Sequence, residues 1–479
     1  MDDIINIRLN KKKALEQESI VVYGHKFDKQ EPIKSLTDNY QENKPVTTAG
    51  RIMTIRSHGG SAFCDIKDFS GKVQVYLRKD KLGANQFNIF KQVDIGDIIG
   101  VSGKILKTHR GEITIDVEQL TMLAKALMPL PEKWHGLKDV ETRYRQRYLD
   151  LVSNDEVKDI FLLRTKIISS IRSFFDNRGY LEVETPMLHP IAGGAAGRPF
   201  KTRHNVYDSD LFMRIAPELY LKRLLVGGMD KVYEINKSFR NEGISPRHNP
   251  EFTMLEAYTA YADYNDMMKL TEDLVSHLAK KLLKEEKVIY KGREIDLTPP
   301  WNRISFAQVM KNNFDISPDD EISQWVNKLK AKGIEIDTKE LSRTKLINII
   351  ADIIEPKEDA QSAKPVFVTD YFTELCPLAK TKPDNPALSE RFELYMGGME
   401  VANAYSELND PIQQKERFKQ QAEADGAGMI DEDYVKALEY GMPPAGGLGI
   451  GIDRLVMIFT NTDTIREVIL FPQLKPEKG

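Results

Sequence analysis

Cysteine is scarce in this chain. Cys64 and Cys376 are the only two among 479 residues, and they lie far apart in sequence. That spacing supports neither a disulfide framework nor a zinc motif, and it predicts a reducing, cytoplasmic setting. Long apolar runs are missing as well, so no segment reads as a membrane span. The polar start, Met1 to Lys13, has no apolar core of a signal peptide. No internal repeat or low-complexity tract is evident. Net charge is only −4, which argues against bulk, non-specific binding of nucleic acid by the whole chain. The charge is uneven, however. Between Val46 and Ala126 basic residues, among them Arg51, Arg56, Lys72, Arg78, Lys79, Lys104, Lys107 and Arg110, outnumber the acids. A mildly basic module on an acidic body suits a phosphate-bearing partner, although a solvated surface would carry the same charges.

With 41% hydrophobic and 29% charged residues over this length, the chain can fill two or three soluble cores. Residues 1–44 read as an N-terminal helical extension, with a helix over 2–18. Residues 45–128 carry alternating runs at 48–53, 63–66, 72–77, 98–105 and 112–117, punctuated by glycine, with one helical stretch near 87–93. Five short strands in so small a span predict a closed barrel of the OB type. Such barrels bind single strands by stacking bases on aromatics, which makes Phe63 and Gln74 candidates; ordinary core is the competing reading of Phe63. A linker over 129–145, beginning Pro129-Leu130-Pro131, leads into a large domain at 146–479. That domain opens with a helix at 161–178, stopped by Gly179, and a strand at 180–186. Charged helical segments at 322–332 and 339–354 mark an insertion over about 287–364.

Several constellations in the large domain carry chemistry. Arg240 opens a polar turn that ends at Phe252, between period-two runs at 232–235 and 253–258. An arginine at the mouth of an antiparallel pair is a platform for phosphate. Strand parity puts Phe252, Met254, Glu256 and Tyr258 on one face. The small-residue loop 193–200 could close over a ligand, though such loops are more often plain turns. Glu393 and Glu400 flank Gly397-Gly398, the residues of a tight hairpin. Two converging acids call for a cation, and hard oxygen donors favour Mg²⁺ carried with a nucleotide; two exposed strand residues are the alternative. Asn403, Tyr405 and Glu407 share a face, whereas Glu400 has opposite parity and requires a bulge or bend to join them. In 446–456, Gly447, Gly449 and Gly451 line one strand face and leave room for a flat ring. Asp453 then reads as the cap of a helix whose first turn carries Arg454. Glu218, Glu256 and Glu407 come from separate segments, beside Tyr258, Asn403 and Tyr405. Buried together they need a positive partner, which a substrate ammonium would supply.

These residues resemble class II aminoacyl-tRNA synthetases, and within them the lysyl-tRNA synthetases of bacterial type. Residues 180–186, 239–252 and 447–454 look like the three class motifs. The runs RIAPELYLKR at 214–223, RHNPEFT at 247–253 and SELND at 406–410 look like signatures of the lysine enzymes. Two departures are Gly197, where Ala is usual, and Lys-Thr-Arg-His at 201–204 in place of Ile-Thr-His-His. The resemblance implies an α+β chain: a five-stranded anticodon-binding OB barrel, then a six-stranded antiparallel sheet flanked by helices. It implies a homodimer that joins L-lysine to tRNA(Lys) at the expense of ATP with Mg²⁺. Arg240, Glu242 and Arg454 would be catalytic. His248, Asn249, Phe252 and Gly451 would complete the ATP site, with adenine between Phe252 and Arg454 and the metal on Glu393 and Glu400. Gly194, Glu218, Glu256, Tyr258, Asn403, Tyr405 and Glu407, with Arg240, would enclose lysine. Phe63, Gln74 and Glu112 would contact the anticodon. An aspartyl or asparaginyl enzyme would need basic residues where Glu218 and Glu407 stand. A paralogue that attaches lysine to protein would have no use for the barrel, and a single-strand-binding protein none for Arg240, Glu393, Glu400 and Arg454.

Overall fold

A computed structural model describes residues 2–131, 137–195, 197–336, 343–354, 362–425 and 430–476. Parts of the expected linker, small-residue loop and insertion, including the start of the helix expected at 339–354, lie outside these residues. The chain divides into two compact units, Met1–Lys138 and Asp139–Gly479.

The first unit begins with α1 (Asp2–Gln17) and a short α2 (Ile33–Asp38). Its strands are β1 (Pro45–His58), β2 (Ser61–Lys67), β3 (Lys72–Arg78), β4 (Ile98–Lys107) and β5 (Ile113–Ala124), with α3 (Lys79–Lys91) between β3 and β4. They close in the order β1-β2-β3-β5-β4. The long β1 reaches both β2 and β4 because its register slips between Ile52 and Thr54, a bulge that bends the strand around the barrel. Alternation sends Ile52, Cys64, Ile66, Val75, Leu77, Ile99, Ile115 and Val117 inward, each buried. Arg8 of α1 donates to the carbonyls of Ile95, Ala126 and Met128 and so fixes the extension to the barrel's end.

The second unit opens with α4 (Val140–Arg145), α5 (Arg147–Ser153) and α6 (Asp155–Asp176). Helix α6 starts six residues before the expected 161, with Asp155 and Glu156 in its first turn, where acids suit the helix dipole. The strand expected at 180–186 is confined to β6 (Leu181–Glu182). A small sheet follows, from β7 (Leu188–His189), β8 (Lys201–His204) and β9 (Ser209–Met213). Then come α7 (Glu218–Val226), β10 (Lys231–Phe239), β11 (Glu251–Ala260), α8 (Tyr264–Leu282) and the β12 (Lys287–Tyr290)–β13 (Arg293–Asp296) hairpin. Next are β14 (Asn302–Ser305), α9 (Phe306–Phe314), α10 (Ile322–Ala331), α11 (Arg343–Ile354) and β15 (Val366–Thr369). The unit ends with β16 (Arg391–Met396), β17 (Met399–Ser406), α12 (Pro411–Asp425), α13 (Glu432–Glu439), β18 (Ala445–Gly451), α14 (Ile452–Thr460) and α15 (Ile465–Val468).

Its main sheet has eight strands rather than six, in the order β14-β15-β16-β17-β18-β11-β10-β6. From β15 to β10 every pair is antiparallel; β14 and β6 add a parallel neighbour at each edge. One face carries Tyr233, Leu255, Ala257, Phe392, Leu394, Ala402, Ala404, Leu448 and Ile450. These residues bury against apolar residues of α6, α8 and α14 in one core. The polar, glycine-rich side of the same strands therefore faces the other way. Among the described residues no helix is long and apolar enough to cross a membrane.

Candidate active site

The antiparallel register sets the polar face of the sheet in transverse rows. One row runs Glu234, Glu256, Gly449, Asn403, Glu393; the next runs Val232, Tyr258, Gly447, Tyr405, Arg391. Glycines at the centre of both rows leave a trough flanked by carboxylates and phenols. The alternation in β18 builds it, because Leu448 and Ile450 go to the core while the intervening residues have no side chain.

The β16–β17 turn is the Gly397-Gly398 hairpin, with φ of 61° and 75°, the double positive φ a two-residue turn of this kind needs. Register then slips: Leu394 faces Ala402, but Tyr395 faces Glu400. Val401 is the extra residue, and this bulge turns Glu400 onto the face of Asn403 and Tyr405, as the sequence parity required. Both acids have protein partners. Glu393 accepts from Arg391 Nη2 at 2.5 Å, Tyr371 at 2.8 Å and Tyr395 at 2.6 Å. Arg454 Nη1 donates to the Glu400 carbonyl at 2.6 Å and carboxylate at 3.2 Å. Among the described residues no three His, Cys, Asp or Glu side chains are grouped to hold a metal ion. Glu393 and Glu400 supply hard oxygens that fit Mg²⁺ as part of a shell completed by other oxygens.

At this end of the trough Arg240 follows β10, its backbone N–H bonded to the Pro250 carbonyl at 2.9 Å. Its guanidinium stands 5.2 Å from the centroid of the Phe252 ring, and its Nε is buried with no hydrogen-bond partner among the described residues. A Cβ on Gly197 would lie 3.2 Å from the Arg240 stem, so the small-residue loop backs directly onto this arginine. Glu242 and His248 are exposed on the turn. His248 Nε2 lies 3.1 Å from Arg454 Nη2, and burial, then Arg454, lower its pKa. A neutral imidazole can accept there. Both ends of the Asn249 amide are taken by backbone, at Glu251 and Gln473, so it latches the turn to the C-terminal segment. In this structure Phe252 faces Arg240, while Arg454 engages Glu400 and His248. Asp453 is not the cap of α14. Gly451 occupies that position, and the buried Asp453 instead accepts from Arg164 at 2.5 Å and Thr253 N–H at 2.7 Å.

The other end gathers Glu218, Glu256, Glu407, Tyr258, Tyr405 and Asn403. Glu218 is the first residue of α7, and Tyr405 donates to its Oε2 at 2.9 Å. Tyr258 donates to Glu256 at 3.1 Å. Gly194 reaches them from above: a Cβ there would lie 3.6 Å from Glu218 Cβ. The carboxylates also have a partner that sequence reasoning passed over. Lys222, one turn along α7, places its ammonium 2.6 Å from Glu218 and against Glu407. Gly447 leaves room for this carboxylate, not for a flat ring; a Cβ would fall 1.8 Å from Glu407 Oε1 and 2.6 Å from Tyr258. Burial, reinforced by Glu218, pushes the Glu256 carboxyl up to about 8. At Glu407 burial and then Glu218 raise the carboxyl, while the Lys222 ammonium in contact with it opposes the rise and favours its ionised form. Flanking carboxylates raise the Lys222 ammonium above its ordinary value in spite of burial, so it stays charged.

On the barrel, β2 and β3 set Phe63 opposite Tyr76, their rings stacked at 4.2 Å and 10°. Phe63 is half-buried and outside the barrel core, which answers its competing reading. Gln74 donates to Glu112 at 3.0 Å and accepts from Thr114 at 2.9 Å. The three expected residues thus share one face, and Tyr76 and Thr114 belong with them. The alternation that exposed Phe63 would have found Tyr76.

Residues 139–475 match the family described as tRNA synthetases class II (D, K and N), and residues 46–123 match the OB-fold nucleic acid binding domain. A lysine–tRNA ligase of Carboxydothermus hydrogenoformans is 52% identical over 99% of this chain and 99% of its own. Those of Pelotomaculum thermopropionicum and Moorella thermoacetica are 51% and 50% identical over 100% of this chain and 96% and 99% of theirs. The chain belongs to the class II tRNA synthetases, in the branch of the lysine–tRNA ligases.

Proposed function

We propose that this chain activates L-lysine with ATP to give lysyl-adenylate and pyrophosphate, then transfers lysine to the 3′ end of tRNA(Lys). The observation that carries this reading is the placement of the carboxylate cluster and Arg240 at two ends of one trough. The lysine ammonium would sit among Glu218, Glu256, Glu407, Tyr258 and Tyr405, with Asn403 and Gly194 enclosing the chain. Its carboxylate would then reach Arg240. There the carboxylate oxygen attacks the α-phosphorus in line, and the bond to the pyrophosphate oxygen breaks. No protein nucleophile is needed, because alignment and charge neutralisation supply the rate. Arg240 would neutralise the attacking carboxylate and the α-phosphate, and Arg454 the departing phosphates. Phe252 and Arg454 would hold adenine, with Gly451 giving it clearance and Glu242, His248 and Asn249 bordering the nucleotide. Mg²⁺ on Glu393 and Glu400 would shield the negative charge of the phosphates. Residues 45–128 would read the anticodon. The edge of the unit at β6 and β7 exposes Leu181 (56%), Met187 (48%) and Leu188 (46%), an apolar strip that a second copy would cover in a homodimer. The test is charging of tRNA: lysine should become attached to tRNA(Lys) with ATP, and lysine-dependent AMP release without tRNA charging would overturn the reading.

Two further outcomes follow. Glu256 binds its proton more tightly folded than in the ordinary range near 4.5, so ligand-free stability falls as pH rises from there to about 8. A substrate ammonium favours its ionised form, so lysine affinity should rise with pH and level off above about 8. A pH profile of kcat/KM for lysine checks this, and Glu256→Gln should flatten it. A flat wild-type profile would contradict it. In the barrel, Phe63→Ala should weaken tRNA binding by about 1–3 kcal/mol, the scale of one stacked base. Pyrophosphate exchange without tRNA should be unchanged, and a matching loss there would show that Phe63 acts through folding.

A further inference from the structure

One lysine of the chain itself is sealed beneath the amino-acid pocket, and the reaction above makes no use of it. Lys222 is wholly buried four residues after Glu218, with its ammonium on Glu218 Oε1 and Glu407 and 5.6 Å from the centroid of the Tyr405 ring. On a helix surface such a pair stabilises only weakly. Buried, an ammonium is tolerated only when neutralised, and here two carboxylates share that task. The three groups together keep one net negative charge.

The remaining oxygens are distinct. Glu218 Oε2 accepts from Tyr405, while Glu407 Oε1 is fully buried, has no partner among the described residues and lies over Gly447. We infer that Lys222 is a specificity-determining residue. By bridging Glu218 and Glu407 it holds their other oxygens, Glu218 Oε2 and Glu407 Oε1, apart and leaves one uncompensated charge, matched to a single substrate ammonium. The inference rests on the amino-acid pocket proposed above. Without Lys222, two adjacent carboxylates would share a proton and close on each other, withdrawing Glu407 Oε1 from the trough. The other groups facing this site are Tyr434 from α13, Tyr405 from β17, and Glu256 and Tyr258 from β11. The cations beyond them, Arg214 and Arg391, are paired to Glu234 and Glu393, so none of these groups can replace the lysine.

Calorimetric titration of the full chain with L-lysine and with ATP tests this in four proteins: wild type, Lys222→Met, Glu407→Gln and the double variant. Lys222→Met should weaken lysine by roughly 100-fold and ATP by no more than about twofold, the loss expected when one partner of a buried charge pair is removed. In the Glu407→Gln background the sign should reverse. There Lys222 cancels Glu218 completely, so removing it restores one net charge. The double variant should then bind lysine about tenfold more tightly than Glu407→Gln alone, a non-additivity that a merely structural lysine would not give. That comparison stands even if Lys222→Met does not fold. A double variant no better than Glu407→Gln overturns the role of Lys222 and leaves the pocket intact. Unchanged lysine affinity in Glu407→Gln overturns the pocket reading itself.

Discussion

Replacing Arg240 by alanine is expected to slow adenylate formation by roughly 100-fold or more, the scale set by removing one preorganised donor from developing charge. The structure gives reasons for a loss this large. Arg240 is pinned at its backbone by Pro250, its stem packs against Gly197, and its guanidinium lies over Phe252 with Nε uncommitted. A donor already in place undergoes no reorganisation when substrate carboxylate and α-phosphate approach. Arg240→Lys keeps a charge but not the planar fork, so it should recover only part of the rate. Pyrophosphate exchange at saturating lysine and ATP is the measurement. Near-normal exchange in Arg240→Ala would remove Arg240 from the reaction.

Glu218→Gln should raise KM for lysine by about 30- to 100-fold while leaving KM for ATP within about threefold. The change is isosteric, and Tyr405 can still donate to the amide oxygen. What is lost is charge: Lys222 would then cancel Glu407, and the pocket would offer a substrate ammonium no net attraction. At the nucleotide end Arg240 lies over Phe252, and Arg454 engages Glu400 and His248, away from the Glu218 cluster. Equal weakening of both substrates would contradict the separation of the trough into two ends.

Much of this site was legible in the sequence because strand alternation has a fixed period. Phe252, Met254, Glu256 and Tyr258 share a face for that reason, and the parity conflict at Glu400 correctly required the bulge found at Val401. What was missed lay where tertiary context overrides local pattern. Lys222 reads as a surface partner of Glu218 on a helix, and its burial depends on Glu407, nearly two hundred residues away. Asp453 has the residue type of a cap, but Arg164 from α6 draws it inward. Gly447 reads in the sequence as space for a ring, because a glycine's pattern cannot say which neighbour fills it; here it is a carboxylate. The parallel edge strands β6 and β14 are short, two and four residues, too brief for period two to declare itself.

In the proposed reaction one trough binds ATP at Arg240 and an ammonium-bearing amino acid at the Glu218–Glu256–Glu407 cluster. ATP–pyrophosphate exchange with each of the standard amino acids in turn tests it most directly. Exchange that depends on lysine, with aspartate and asparagine inert, is the predicted result. Exchange driven by an acidic or neutral amino acid, with lysine inert, would contradict it.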